Sequence, residues 1–410
     1  MLREFFIRNK YKIILGFGIF VGILFIMYMY MVYFTNKEDV ILKKDLTTTF
    51  REKVSVMDFI ESLNGKVVSN EEVDTNFVGI KKVSFSYVNR YGFIVSKKFE
   101  IEIKDVVKPT IEVSNTLVIE KGSTIDLFDI IMCADDYDDN VSCKIKGDYD
   151  LNKAGEYELE IVARDDGGNT NNKNFTLKVK EKIGNSNNRE EENLESMSYT
   201  DFNDVYDKYK NSNTMIGLDL SKWQGEVDFS KLKSQDVEFV MLKVGGQKEI
   251  GGEMTVDPTF YRNIEEALKY DMKVGVYFYS YARTVGDAKK QARWIVSKIS
   301  NYGIDLPIVF DWENWKGYTK FKISFHTINN IASVFMDEVN YFGYKGMLYS
   351  SKYYLETIWY RENYTNWLAY YTKNNNYDGD YLMWQVCNNG KIDGIDGYVD
   401  IDVMYLNFDI

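Results

Sequence analysis

Residues 306–314 read LPIVFDWEN, a short apolar run that ends in two carboxylates. Runs of the same kind recur through the C-terminal half of the chain, namely IGLDLS (216–221), FVMLKV (239–244), KVGVYFYSYA (273–282), KGMLYSS (345–351), NWLAYY (366–371), YLMWQVC (381–387) and VDIDVMYL (399–406). Helical sequences separate the early runs. In residues 257–271, Asp257 suits the N-cap and Pro258 suits the first helical position. Strands that alternate with helices are typical of a β/α fold.

The eight runs, with about five helices between them, predict the fold of residues 214–410. We expect an α/β fold, namely a modified (β/α) barrel of the TIM-like type. The last three connections are too short for full helical crossovers. The barrel should therefore lack helices near its end and be only partly parallel.

The N-terminal segment of residues 13–34 contains no charged side chain. As a helix it would reach about 33 Å, enough to cross a bilayer core. A cleaved signal peptide is the alternative, but its apolar region is shorter and ends in small residues. Basic residues in segment 1–12 place the N-terminus in the cytoplasm. We expect a single transmembrane helix in the cell membrane, with all later domains extracellular.

Two consecutive segments, residues 37–105 and 106–182, match each other at an offset of 76 positions. Apolar and polar residues alternate in FEIEIK (99–104) and FTLKVK (175–180), which predicts strands with one buried face. GEYELEIVARDDGGNT (155–170) resembles the last hairpin of bacterial immunoglobulin-like repeats. We expect two small all-β modules of this kind, which act as spacers or bind cell-envelope proteins.

The second module contains an acidic stretch between Cys133 and Cys143. These cysteines form either a local disulfide or two reduced thiols, because an extracellular location permits a bridge without requiring one. The aspartates of the stretch could supply oxygen ligands for Ca²⁺. No twelve-residue calcium loop is present, so a solvated turn is the alternative. Residues 183–213 are polar and predict a linker before the barrel.

Composition excludes several classes of function. The formal net charge is -12, whereas nucleic-acid binding needs clustered Lys and Arg. The chain has one histidine, His326, and three cysteines, too few for the usual zinc amidase or endopeptidase sites. A cysteine peptidase would have to pair Cys387 with His326. We expect neither nucleic-acid binding nor these two peptidoglycan-cutting chemistries.

Carboxylates, by contrast, stand where a barrel enzyme places its chemistry. Asp311 and Glu313 are two positions apart, so on a strand they share one face, with Cα atoms roughly 6.5–7 Å apart. They follow the fourth strand, at the carboxyl end where barrel active sites lie. Asp219 and Asp400 belong to the first and last strands, which are neighbours when the barrel closes. Proximity would raise the pKa of at least one acid, which suits a general acid.

Three motifs make the resemblance specific. IGLDLSKWQGEVDF (216–229), LPIVFDWEN (306–314) and MWQVCNNGKIDGIDGYVDIDVMY (383–405) are similar to the ordered motifs of family 25 glycoside hydrolases, the Chalaropsis-type lysozymes. The resemblance covers residues 214–410. It implies an N-acetylmuramidase that cleaves the β-1,4 bond between N-acetylmuramic acid and N-acetylglucosamine of peptidoglycan, with no metal or organic cofactor.

The same resemblance assigns roles to the acids. Glu313 corresponds to the general acid/base and Asp311 to its partner carboxylate, while Asp219 and Asp400 correspond to two further acids of the cleft. Cys387, Asn388 and Asp402 depart from the family pattern. These departures bear on substrate preference more than on the catalytic set.

Aromatic side chains near the acids are candidates to bind the apolar faces of sugars. The candidates are Tyr279, Tyr281, Tyr349, Tyr371 and Trp384, with Gln385 beside the last of them. Core packing is the alternative for each aromatic residue. Trp223 and Gln224 belong to the family motif at the first strand, which favours a place in the cleft.

We therefore expect an anchored glycosidase that retains anomeric configuration. The substrate's own acetamido group would act as nucleophile, and direct attack by Asp311 is the alternative. A glycan-binding scaffold without catalysis is a rival of a different class. A third interpretation keeps hydrolysis but directs it to another N-acetylhexosamine polymer, such as chitin.

Overall fold

The computed structural model describes residues 2–181 and 199–407. Its first helix, α1 (Leu2–Glu38), contains an apolar window at Ile14–Met31 with a mean hydropathy of 2.2. By length and composition this helix could span a membrane or serve as a signal sequence. The chain forms two compact units, residues 1–106 and 107–410, and each is described by itself.

The first unit contains an all-β module after α1. Its strands are β1 (Val40–Leu42), β2 (Thr47–Thr49), β3 (Val54–Ser55), β4 (Ile60–Leu63), β5 (Gly65–Val67), β6 (Glu72–Val73), β7 (Gly79–Asn89) and β8 (Ile94–Lys104). The largest sheet has the order β2-β8-β7-β5. Alternate residues of the β7–β8 hairpin, such as Phe85, Tyr87 and Ile101, are buried in one core because successive strand residues face opposite sides.

The second unit begins with a similar module. Its strands are β9 (Thr110–Glu112), β10 (Thr116–Glu120), β11 (Met132–Ala134), β12 (Ser142–Lys146), β13 (Gly155–Arg164) and β14 (Thr170–Lys180). The sheet order is β10-β14-β13-β12, and β11 pairs with β9. The long hairpin of each module lies at the offset found in the sequence, and a parallel strand flanks its second strand. The immunoglobulin-like assignment stays a prediction. Cys133 and Cys143 are joined as a disulfide.

The rest of the second unit is built around one large sheet. Its strands are β15 (Thr200–Asp201), β16 (Thr214–Leu220), β17 (Phe239–Gly246), β18 (Thr255–Val256), β19 (Lys273–Tyr279), β20 (Ile308–Asp311), β21 (Gly346–Ser351), β22 (Asn366–Ala369), β23 (Met383–Lys391) and β24 (Val399–Tyr405). Eight of them close into a barrel in the order β16-β17-β19-β20-β21-β22-β23-β24. Only β24 is antiparallel to both neighbours, β23 and β16. The predicted eight-stranded, partly parallel barrel is confirmed, while the TIM-like label stays a prediction.

Helices connect the parallel strands of the barrel. They are α3 (Phe229–Ser234), α4 (Phe260–Lys269), α5 (Val285–Ile299), α6 (Phe325–Tyr341) and α7 (Lys352–Thr357), and α2 (Phe202–Tyr209) precedes β16. The prediction for the start of α4 was wrong: Thr259 is the cap residue, and the Asp257 carboxylate accepts its backbone N–H at 2.9 Å. As expected, no α-helix lies between β22 and β24 in the described chain.

Residues 200–209 lie inside the segment expected to be a linker, and they pack on the barrel. Strand β15 pairs with β23, and Phe202 and Val205 of α2 are buried in the barrel's hydrophobic core. Residues 183–198 of that predicted linker lie outside the described residues. The packed barrel unit thus includes the residues from Thr200 onwards.

Candidate active site

Strand pairing brings the four predicted acids to one end of the barrel. Asp219 lies directly opposite Asp400 across the β16–β24 ladder. Asp311 ends β20, and Glu313 follows it by two positions. All four acids line one cleft of about 240 Å³. The carboxyl-end placement expected from the sequence therefore produces a shared site.

The cleft wall is aromatic and polar. In the strand registers, Asp311 lies between Tyr279 of β19 and Tyr349 of β21. The remaining lining residues are Ser221, Trp223, Gln224, Lys243, Tyr277 and Trp367. Trp223 has 76% of its surface exposed, so its indole ring is available to a ligand at the mouth of the cleft.

Burial and mutual repulsion make the acids hard to ionise. Burial raises the pKa of Asp219 well above its usual value, and the neighbouring Asp400 charge adds to the effect. The pKa of Asp311 is likewise raised, first by burial and then by Glu313. Burial followed by repulsion from Glu313 raises the pKa of Asp400 to about 7. At neutral pH the cleft therefore holds protons that isolated carboxylates would lose.

Glu313 differs from the other acids because its residue surface is exposed at the cleft mouth. Desolvation within the cleft raises the pKa of its carboxyl, and the positive charge of Lys243 opposes that rise. A carboxyl group with a raised pKa that solvent and ligand can both reach is suited to donate a proton.

Lys243 was not among the residues selected from the sequence. Its Nζ lies 4.8 Å from the ring centroid of Tyr279 and 5.8 Å from that of Tyr277. Its charge lowers the pKa of Asp219, Asp311 and Glu313 against the larger effect of burial. A charged residue inside the apolar run FVMLKV was the available signal, because such a residue needs partners when buried.

A hydrogen-bond network fixes the wall near Asp400. The hydroxyl groups of Tyr349 and Tyr371 both donate to Gln385 Oε1 at 2.8 Å. The amide nitrogen of Gln385 donates to Asp400 Oδ2 at 3.4 Å. Gln385 itself is only 1% exposed, so in this structure it acts on the cleft through these partners. Tyr371 borders the site and does not line the cleft.

Two oxygen atoms of the cleft remain open to hydrogen bonding. Asp219 Oδ1 and Asp311 Oδ1 are buried and accept no hydrogen bond from the described part of the chain. Buried polar atoms are normally paired. Each of these oxygens can accept a hydrogen bond from an N–H or O–H group of a ligand.

Two predicted aromatic residues lie elsewhere. Trp384 is 2% exposed, and its indole N–H donates to the carbonyl oxygen of Tyr370 at 2.8 Å. It belongs to the hydrophobic core and offers no free face to a sugar. Tyr281 stacks on Phe321, with ring centroids 6.2 Å apart, outside the cleft lining.

The cysteine and the histidine that a cysteine peptidase would have to pair are also outside the cleft. Cys387 is a buried free cysteine in the barrel core. His326 lies in the first turn of α6, where Asn330 contacts its Nε2 at 2.9 Å. Neither side chain lines the cleft that contains the four acids.

Comparisons with known proteins match the barrel. Residues 218–395 match the model for glycosyl hydrolases family 25. The Escherichia coli (strain K12) uncharacterized protein YegX is 29% identical over 197 residues, or 47% of this chain and 70% of that protein. The autolytic lysozyme of Clostridium acetobutylicum is 28% identical over 196 residues, or 46% of this chain and 55% of that lysozyme.

Two solved structures can be compared with this chain. The modular autolysin LytC from Streptococcus pneumoniae, in complex with a synthetic peptidoglycan ligand, gives a TM-score of 0.44 at 23% identity. That similarity covers 60% of this chain and 56% of the autolysin. A family 25 glycosyl hydrolase from Bacillus anthracis gives 0.41 at 23% identity, covering 48% and 90%. The chain spans little more than half of the pneumococcal autolysin.

Proposed function

We propose that the protein is a membrane-anchored peptidoglycan hydrolase, because its residues 218–395 match the model for glycosyl hydrolases family 25. Its reaction is hydrolysis of the β-1,4 bond between N-acetylmuramic acid and N-acetylglucosamine. The observation that supports this proposal most strongly is the convergence of Asp219, Asp311, Glu313 and Asp400 in one cleft. Glycoside hydrolysis needs a protonated and an ionised carboxyl group on opposite sides of the reacting bond.

Glu313 is the general acid in this proposal. Desolvation keeps its carboxyl protonated to higher pH than an exposed glutamic acid. Its place at the cleft mouth lets it reach the glycosidic oxygen of a bound chain. After the leaving group departs, the Glu313 carboxylate accepts a proton from the attacking water.

Asp311 assists the nucleophilic attack on the anomeric carbon. The 2-acetamido group of the substrate carries a carbonyl oxygen that can attack the anomeric carbon, with retention of configuration. The free Oδ1 of Asp311 can then accept the acetamido N–H and stabilise the positive charge that develops on it. Direct attack by Asp311 is the competing retaining route.

The acids Asp219 and Asp400 would set the charge and proton content of the cleft near the sugar. Asp400, with a pKa of about 7, would be partly ionised at neutral pH and would contribute negative charge near an oxocarbenium-like sugar, while Asp219 opposite it would hold a proton. Lys243 favours the ionised form of these acids, since its positive charge lowers the pKa of Asp219, Asp311 and Glu313. Trp223, Tyr279 and Tyr349 would provide surfaces for the sugar rings.

Anchoring completes the proposal. The apolar helix at Ile14–Met31 would hold the protein in the membrane, with the basic N-terminus in the cytoplasm. The two β-modules would carry the barrel toward the extracellular wall, where the immunoglobulin-like type usually spaces or binds other envelope proteins.

The deciding experiment is digestion of purified peptidoglycan by the full chain in detergent, with product reducing ends identified by mass spectrometry. We expect new N-acetylmuramic acid reducing ends. Glycan binding without new ends would support the scaffold interpretation, and cleavage of chitin in preference to peptidoglycan would redirect the substrate. Reducing ends made only of N-acetylglucosamine would contradict the bond assignment.

A further inference from the structure

The acidic stretch of the second module, residues 135–139, contacts the barrel beside the catalytic strand. Helix α6 begins there at Phe325, after the loop that follows Asp311 and Glu313. The first four backbone N–H groups of a helix have no partners within that helix. In α6, most of these groups are satisfied by the module.

Three consecutive N–H groups of the helix start donate to the acidic stretch. The N–H of Ser324 donates to Asp139 Oδ1 at 2.8 Å. The N–H groups of Phe325 and His326 donate to the backbone carbonyls of Asp135 and Asp136, at 2.8 and 2.9 Å. The fourth N–H, of Thr327, donates to the hydroxyl of Ser324. The module thus caps a helix that belongs to another domain.

Asp139 makes more of these bonds than any other side chain of the stretch. Its Oδ1 also accepts from the hydroxyl of Ser324 at 2.8 Å and from that of Thr327 at 2.6 Å. A carboxylate at a helix N-terminus is favourable because the helix dipole places partial positive charge there. One side chain of the module therefore fixes the first turn of α6.

The loop between Glu313 and α6 is held at a second point. The hydroxyl of Thr319 donates to the carbonyl of Ile131 and accepts the N–H of Cys133, both at 2.9 Å. Lys320 forms an ion pair with Asp129. The loop therefore continues the hydrogen bonding of strand β11 and has little freedom to move away from the module.

Support of this loop extends back to Glu313. The N–H of Trp315 donates to the carbonyl of Glu313 at 2.9 Å. Trp315 is buried in the same hydrophobic cluster as Met132 of strand β11. A displacement of the loop would thus be transmitted to the backbone of the general acid within two residues.

We infer that the second β-module is part of the catalytic unit, and that Asp139 is a positioning residue for Glu313. This inference rests on the proposed function, in which Glu313 donates the proton. It assigns the acidic stretch to helix capping, a role that neither of the sequence interpretations included. The module is then more than a spacer.

The test compares Asp139→Ala, Asp139→Asn and wild type as full chains in detergent. Asp150→Ala is the matched control, because the Asp150 carboxylate accepts a turn N–H within the module itself. Peptidoglycan hydrolysis gives kcat and KM, and hydrogen exchange gives the protection of amides 313–327. Asp139→Asn keeps an acceptor oxygen and should remain close to wild type in both measurements.

For Asp139→Ala we expect amides 324–327 to exchange about tenfold faster, as loss of a helix cap implies. We expect kcat to fall by roughly tenfold with KM nearly unchanged, because misplacement of the acid affects the chemical step. Asp150→Ala should change neither quantity. Faster exchange with unchanged kcat would overturn the positioning role, and unchanged exchange would overturn the capping contact.

Failure of the proposed function can be recognised separately. If the wild-type chain hydrolyses no peptidoglycan, that proposal fails whatever Asp139 does. The exchange of amides 313–316 then decides the positioning inference by itself. Faster exchange there in Asp139→Ala supports it, and wild-type protection contradicts it.

Discussion

The chain gathers aspartates in two places, the barrel cleft and the acidic stretch of the second module, and Asp138 and Asp139 of the stretch differ in their surroundings from Asp219 and Asp311 of the cleft. In the cleft, Asp219 and Asp311 are buried beside other acids, and each keeps an oxygen without a partner in the described chain. In the module, Asp138 accepts two backbone N–H groups, of Asp166 and Gly167, and Asp139 accepts donors from the start of α6.

The difference shows what separates a structural carboxylate from a reactive one. Backbone and hydroxyl donors stabilise the ionised form and use the oxygen atoms that a ligand would need. Burial beside like charges does the opposite, because it favours the protonated form and leaves oxygen atoms open. The contrast holds for Asp138 and Asp139 but not for every acid of the module, because Asp135 is buried, has a pKa raised by desolvation, and keeps Oδ2 without a partner in the described chain.

The largest effect expected in the cleft concerns Glu313. Glu313→Gln should lower peptidoglycan hydrolysis by about 10²-fold or more, because an amide cannot protonate the leaving oxygen. Glu265→Gln, on the exposed face of α4, is the matched control and should keep wild-type turnover. Initial rates of reducing-end release provide the measurement. Near-normal turnover in Glu313→Gln would transfer the acid role to another residue.

Removal of the Asp311 carboxylate should lower kcat by about 10²-fold. In Asp311→Asn the side chain no longer carries the negative charge that stabilises the acetamido cation. Azide should not restore the rate, because the nucleophile in the proposed route belongs to the substrate. Formation of a glycosyl azide by the variant, or of a trapped ester on Asp311 in the wild type, would favour direct attack instead.

Much of the barrel could be predicted from the sequence because each strand is a separate apolar run. The acids could be placed as well, since Asp219 and Asp311 stand near the carboxyl ends of strands, where a closed barrel brings side chains together. These predictions need only local pattern and the rule that consecutive parallel strands are neighbours.

Which side a residue faces was harder to predict. Trp384 and Gln385 were both selected as substrate-binding residues, yet adjacent residues of a strand point to opposite faces. In the structure, Gln385 points toward Asp400, whereas Trp384 packs in the hydrophobic core. Lys243 was missed because a half-buried lysine is recognised by the residues around it, and those residues come from other strands.

Contacts between domains could not be derived from the sequence at all. The bonds from Ser324 and Thr327 to Asp139 join residues more than 180 positions apart. The periodicity of apolar residues does not predict a hydrogen bond between residues so far apart in the sequence. The acidic stretch supported two local interpretations, oxygen ligands for Ca²⁺ and a solvated turn, and neither included its hydrogen bonds to a distant helix.

A smaller effect on kcat is expected when the positive charge of Lys243 is removed from the cleft. Lys243→Met removes the charge that lowers the pKa of Asp311 and Glu313, so both values should rise. The pH profile of kcat should shift toward higher pH, and kcat at neutral pH should fall by roughly tenfold because less Asp311 is ionised. Lys289→Met, exposed on α5, is the control. An unshifted profile would exclude this role for Lys243.

The smallest expected effect is on the free energy of unfolding, and it tests whether ionisation of a buried cleft acid destabilises the folded state. The pKa of Asp400 is about 7 in the folded protein, against about 3.9 for an unfolded aspartic acid. Between these values the folded state binds more protons than the unfolded state. The contribution of Asp400 to the free energy of unfolding should therefore decrease as pH rises from about 4 to about 7, and should be constant above that range.

Asp400→Asn removes this penalty, so the variant should melt at a higher temperature than wild type at pH 8 and at nearly the same temperature at pH 4. Each kcal/mol of relieved ionisation penalty corresponds to about 2–4 °C in melting temperature. Tryptophan fluorescence reports the barrel alone, because all seven tryptophans lie within residues 218–395. Asp150→Asn, in the second module, controls for loss of a surface charge. If Asp400→Asn gains no more at pH 8 than at pH 4, the penalty assigned to ionising Asp400, from burial and from repulsion by Glu313, is absent.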